Sequence, residues 1–236
     1  MYSLRSLPRW PILVIAAGLV MASNASAGQK PKEWNPVIEP ANFVATVDNP
    51  YFPLSPGRSW LYRGVTKSGT ETFQIDVTRQ TKVILGVRTR VVIETAAVDG
   101  QTVEISENWF AQDREGNVWY FGEFSRTFEG GVPVSTAGSW EAGVNDARPG
   151  IIMEANPVVG DTYFQEFAPG VAQDMASVVA TGRTETVPYG TFENVLLTKE
   201  WTALESNSVG HKSYAPGIGL ILDEKGGERL ELTQVR

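Results

Sequence analysis

The chain has no cysteine at all and a single histidine, His211. Without thiols there can be no disulfide, no thiolate metal site, no cysteine nucleophile and no lipid-bearing cysteine at the N-terminus. One histidine makes zinc patterns such as H-E-x-x-H impossible, and any Ser-His-Asp triad would have to be built on His211. G-x-S-x-G, S-x-x-K, G-x-G-x-x-G and Walker A loops are also missing, so neither a familiar hydrolase nor a nucleotide cofactor is indicated; no cofactor and no metal are expected. Basic residues are few, 20 against 27 acidic ones, and no basic stripe occurs. That balance excludes nucleic acid as a partner. Only one long apolar run is present, and it lies at the start.

That run says where the protein works. Arg5 and Arg9 precede Pro11–Met21, which is too short to span a bilayer comfortably, and Ala25-Ser26-Ala27 has the small-residue spacing of a cleavage site. The pattern is that of a secretory signal peptide, residues 1–27, cut after Ala27. Loss of Arg5 and Arg9 takes the formal net charge from −7 to about −9. The mature chain is expected to be periplasmic or secreted and not membrane-spanning, and its core must hold without covalent staples. Residues 28–50 read as an extended lead-in, rich in Pro and Lys, and residues 51–236 as one β domain.

From Tyr51 onward, Gly and Pro recur between short runs rich in Val, Ile, Thr and aromatics. Phe73, Ile75 and Val77 alternate with Gln74, Asp76 and Thr78. Over Lys82–Glu94, Val83, Leu85, Val87, Val91 and Ile93 share a face opposite Arg88, Arg90 and Glu94. A period of two marks antiparallel strands with one apolar side. Asp99-Gly100, Asp113–Asn117, Pro188–Gly190 and Gly226-Gly227 read as hairpin turns. Ala172–Ala180 is compatible with one short helix, and Gly130–Ile151 with a long loop able to act as a lid. The expected fold is mainly β: a single strongly curved antiparallel sheet or half-barrel with at most one or two short helices.

Three segments carry a resemblance. Asn49–Gly64 (NPYFPLSPGRSWLYRG), Val187–Leu197 (VPYGTFENVLL) and Tyr214–Leu222 (YAPGIGLIL) resemble the opening, a hairpin and the closing strand of secreted bacterial β-domain proteins in the TapB-like and related domain-of-unknown-function groups. Their curved sheet is similar to the half-barrel of the LolA/LolB lipoprotein carriers. The resemblance implies a fold and a carrier-type role, and transfers no functional residue.

Candidate sites follow from departures from the pattern. Glu107 sits in the apolar face of Val103, Ile105, Trp109 and Ala111, and Lys199 likewise interrupts Val195, Leu197, Trp201 and Ala203. Either the two pair inside the sheet, or a bulge near Ser106 turns Glu107 to water. Trp109, Phe110, Trp119, Tyr120, Phe121 and Trp140 cluster in one hairpin and the following loop, with Trp119 and Phe121 on one face and Val118 and Tyr120 on the other, which means burial on both sides or a lined cavity. Phe164, Glu166 and Asp174 place two carboxylates among aromatics, as glycoside chemistry would require. His211 suits proton transfer or structural hydrogen bonding. Asp113, Glu115, Asn117 and Glu123 fail the spacing of a calcium loop.

The leading expectation is an exported non-enzymatic protein that binds an apolar or amphipathic small molecule, a lipid or a lipidated partner. It would do so through Glu107, Trp109, Trp119, Phe121, Trp140, Phe164, Glu166, Asp174 and His211, in a hollow of at least about 300 Å3. A carboxylate enzyme and an envelope interaction domain are the alternatives.

Overall fold

Strict alternation of side chains, broken by two-residue turns, builds this chain into strands almost throughout. The computed structural model describes residues 34–44, 46–205 and 208–236, so the signal peptide and cleavage site expected over residues 1–27 lie outside the described residues. A 3-10 turn at Pro40–Asn42 leads into β1 (Phe43–Val44). Next come β2 (Ser59–Thr66), β3 (Gly69–Ile84), β4 (Val87–Val98), β5 (Gln101–Asp113) and β6 (Val118–Glu129). Three shorter strands follow, β7 (Val132–Ser135), β8 (Trp140–Glu141) and β9 (Arg148–Met153), and then β10 (Thr162–Phe164) and β11 (Glu166–Phe167). The chain ends in β12 (Asp174–Val187), β13 (Gly190–Thr202), β14 (Val209–Ala215), β15 (Gly219–Lys225) and β16 (Glu228–Val235).

All pairings are antiparallel, in the order β10-β12-β13-β14-β15-β16-β2-β3-β4-β5-β6-β9-β11. The two ends of this path are consecutive in sequence. Residues 162–164 pair with β12 and residues 166–167 with β9, so one short segment bridges the seam and the curved sheet is nearly closed into a barrel. Closure hides the edge strands that an open sheet would expose. Gly150 makes the seam possible, because a Cβ there would overlap the Gln165 carbonyl.

Three expected elements differ. Lys82–Glu94 is two strands, because Leu85-Gly86 form a tight turn with φ of 49° and 78°, and Val83 and Leu85 are exposed at its rim. Ala172–Ala180 is strand rather than helix, since its Val and Ser side chains alternate across β12. The segment Gly130–Ile151 is no free loop either; β7, β8 and β9 all pair with β6.

Alternation alone does not say which face is inside, and on β5 the answer reverses the simplest reading. One row runs Trp60, Ile75, Glu94, Ser106 and Ser125 across β2 to β6. Another runs Thr198, Lys212, Asp223 and Leu230 across β13 to β16. These rows face the lumen. The outer aromatics of β5 and β6 are covered instead by the N-terminal segment: Phe43 stands 6.2 Å from Trp119 and 5.5 Å from Phe121, and Trp34 stands 6.3 Å from Trp119 and 5.7 Å from Phe164.

A candidate binding site at one end of the barrel

Small polar residues line the lumen of β5, β6 and β13, and each is bonded to a neighbour. Tyr120 donates to Asn108 Oδ1 at 2.6 Å, Asn108 donates to Ser106 at 2.9 Å, and Ser125 donates to Glu104. Glu200 on β13 is the hub of the opposite wall. Its Oε1 accepts from Thr198 at 3.1 Å, Tyr214 at 3.2 Å and Gln165 at 3.3 Å, while Oε2 lies 2.6 Å from Lys212 Nζ. Burial pulls the Lys212 ammonium toward neutrality, but Glu200 and Asp223 outweigh it, and its pKa rises overall. Lys212 is therefore a permanent buried cation.

Burial raises several of the other lumenal acids. Burial pushes Glu94 up to about 8, with Lys212 pulling it down and Glu104 pushing it further up. Asp223 rises to about 7 by burial, partly offset by Lys212. Glu123 is 1% exposed, neither of its carboxyl oxygens has a hydrogen-bond partner, and burial together with Glu166 raises it well above an ordinary carboxyl. Glu166 accepts from Trp140 Nε1 at 2.9 Å, yet burial and the neighbouring Asp174 raise it too. Asp174 is raised mainly by burial. A carboxyl group in such surroundings holds its proton to higher pH than an exposed one.

At one end this lumen opens into a pocket. Phe52, Pro53 and Leu54 roof it; Trp60, Tyr62, Ile75, Val92, Phe110 and Leu220 wall it; Glu94 and Lys212 form its polar end. The walls are fixed by bonds from Trp60 Nε1 to the Ile218 carbonyl and from the Tyr62 hydroxyl to the Leu220 carbonyl, both 2.9 Å. The roof is tied down by Leu54 N to Val47 O at 2.9 Å and Gly217 N to Pro50 O at 2.7 Å. The cavity is about 40 Å3, room for roughly three waters and far short of a carrier-sized hollow of about 300 Å3. Glu94 lines this cavity, and its Oε2 is buried with no hydrogen-bond partner.

The residues singled out from sequence fall in three places. Trp140, Glu166 and Asp174 are brought together in the lumen, deeper than the pocket. Trp109, Trp119, Phe121 and Phe164 lie on the outer side, Trp109 with the Lys82 ammonium 3.4 Å above its ring. His211 is half-buried on the outer face of β14, opposite Lys199 and Glu224. Glu107 and Lys199 do not pair inside. Glu107 is half-buried on the outer face and accepts from Trp109 Nε1 at 2.9 Å, while Lys199 is exposed, 5.6 Å from the Trp201 ring. No bulge at Ser106 turns Glu107 outward. The lumen takes the polar stripe of β5, so Glu107 follows the apolar one.

The pair at the pocket's polar end, Glu94 and Lys212, was missed from sequence. The available signal was a lone charge amid small uncharged polar residues on facing strands, a pattern of buried hydrogen bonding rather than of a wet surface. Among the described residues no group of three or more His, Asp or Glu is placed to hold a metal ion, and no helix is long and apolar enough to cross a membrane.

Fold and site together define the class: an antiparallel, nearly closed β-barrel with an acid-rich lumen and a small apolar pocket at one end. Comparison adds little to that. No protein-family model matches the chain, and no curated protein matches it either. Among solved structures, a protein described as a "putative lipoprotein" from Parabacteroides distasonis is similar at 11% identity and a TM-score of 0.41, over 79% of this chain and 98% of that one.

Proposed function

We propose that this is an exported, non-enzymatic binding protein that takes the end of a small amphipathic molecule into the barrel's end pocket. One observation carries the reading: an apolar cavity is lined at its polar end by Lys212 and Glu94, and Glu94 carries a buried carboxyl oxygen, Oε2, with no hydrogen-bond partner. A buried polar group without a partner is costly, so the pocket is built for a molecule that supplies one. Export rests on the signal-peptide pattern of residues 1–27. The resemblance to the LolA/LolB carriers supports a binding role. The small volume limits the buried part of an occupant to a head group and a few carbons. The lumenal acids Glu166 and Asp174 with Trp140 stand behind the polar end, where they set its electrostatics.

The small volume also favours a second reading, an envelope interaction domain with no small ligand. Native mass spectrometry of the mature protein decides between them. Octylamine, octan-1-ol or octanoate should add one molecule per chain, and Leu220→Trp, which fills the cavity, should abolish the adduct. A bare spectrum with every probe, together with unchanged tryptophan fluorescence, overturns the binding reading.

A further inference from the structure

Little backbone holds the barrel shut at its seam. β11 pairs with β9 at two positions, Glu166 with Pro149 and Phe167 with Arg148, and Pro149 has no N–H to give. Inside that seam stand two carboxyl side chains, Glu166 on β11 and Glu123 on β6, each 1% exposed. One indole joins them: Trp140 lies directly opposite Glu123 in the β6–β8 register and donates Nε1 to Glu166 Oε2 at 2.9 Å. Neither oxygen of Glu123 has a partner. Glu123 is faced by Glu104 on β5, Glu94 on β4, Asp174 on β12 and Tyr120 on its own strand; Glu166 is faced by Asp174, Glu200 on β13 and Lys212 on β14. The cations of this region are engaged elsewhere. Lys212 lies 2.6 Å from Glu200, and Lys225, which acts on Asp174, lies 2.6 Å from Ser208 Oγ. Arg148, on the seam itself, turns outward to the Phe167 ring and the Trp34 carbonyl. Among the described residues no ion pair includes Glu123 or Glu166.

We infer that the seam is a pH-sensitive latch, closed while Glu123 and Glu166 are protonated and released at β11 when both ionise. Two buried carboxyls with no cation in contact repel each other once both are charged, and charge in such a place is costly. β6 is anchored by its pairing with β5 from Val118 to Thr127, whereas β11 is tied to β9 at two positions, so β11 is the strand that yields and carries Glu166 into water. The sign follows from the same surroundings. Burial first, then Glu166 for Glu123 and Asp174 for Glu166, raises both groups well above the ordinary carboxyl value of 4.5. The closed state therefore binds these protons more tightly than the open one does. Its support is complete below about 4.5 and is lost as pH rises through the raised values. Each carboxyl gives one proton to solvent on release, and no other covalent bond changes. The latch is independent of the end pocket and of what that pocket binds.

Hydrogen exchange of the mature protein, read by mass spectrometry from pH 5 to pH 9 with the intrinsic pH dependence of exchange divided out, tests this. Protection over residues 162–168 should fall by at least about tenfold per pH unit once release begins, as an opening that frees a proton requires, and should fall more steeply than that of β3 and β4. Glu123→Gln and Glu166→Gln should each make the seam follow β3 and β4 instead, their folds being checked by thermal unfolding at pH 5. Glu71→Gln removes a different buried acid, one raised to about 7 beside the β2–β3 turn, and should leave the steep fall at the seam in place. Protection over residues 162–168 that is flat with pH, or that declines in step with β3 and β4 in the wild-type protein, overturns the latch. A steep fall that survives both Glu123→Gln and Glu166→Gln overturns it as well. If neither variant folds, the wild-type comparison of the seam with β3 and β4 still decides.

Discussion

Replacing Glu94 by Gln keeps the size of the side chain and removes its proton. In the folded chain Glu94 is buried and pushed up to about 8 from an ordinary 4.5. Its folded value is raised, so the folded state binds the proton more tightly than the unfolded state does. The stability this contributes is fully present below about 4.5 and is lost as pH rises through about 8. At about 1.4 kcal/mol per tenfold change in proton affinity, the whole window corresponds to roughly 5 kcal/mol. Asp223, raised to about 7 from 3.8, slopes the same way. The wild-type protein is thus expected to lose stability between pH 4.5 and pH 8, where most proteins are near their maximum. Glu94→Gln should be close to neutral at pH 4.5 and more stable than wild type by about 3–5 kcal/mol at pH 8.5. Urea unfolding of both proteins at half-unit steps measures the difference directly. A constant difference across that range would refute the placement of a neutral acid at the pocket's polar end.

Lys212→Met should destabilise by about 3–5 kcal/mol in chemical denaturation, because it strands Glu200 without its ion-pair partner. The double replacement Lys212→Met with Glu200→Leu should recover most of that loss. Gly150→Ala drives a methyl into the Gln165 backbone at the seam and should cost at least about 2 kcal/mol. Hydrogen exchange should then show the amides of Glu166 and Phe167 losing protection before those of β3 or β4. Tyr120→Phe leaves the Asn108 carbonyl oxygen without its 2.6 Å donor and should cost about 1–3 kcal/mol, read from the thermal midpoint.

The strands and most turns were legible because both depend on local rules. Phe73, Ile75 and Val77 alternate, and Asp99-Gly100 adopts the positive φ pair that a tight hairpin demands. Leu85-Gly86 was not legible, since a leucine at φ 49° is uncommon and nothing local announces it. The orientation of β5 was hidden for a different reason. Period-two alternation defines two faces without labelling them, and the apolar stripe of Val103, Ile105 and Trp109 reads locally as the core side. In the barrel the outer aromatics of this region pack under residues 34–43, so an apolar face is outside and Glu104, Ser106 and Asn108 are inside. The same inversion kept Glu94 from view, because it stands opposite the apolar face of Val87, Val91 and Ile93. Closure was equally out of reach. It depends on residues 162–167 switching partners at Gln165, a contact between distant parts of the chain.

The most direct measurement is a carbon-13 NMR titration of the Glu94 carboxyl, assigned by its loss in Glu94→Gln. The account predicts a midpoint near pH 8 in the free protein. A midpoint near 4.5 in the free protein would contradict it.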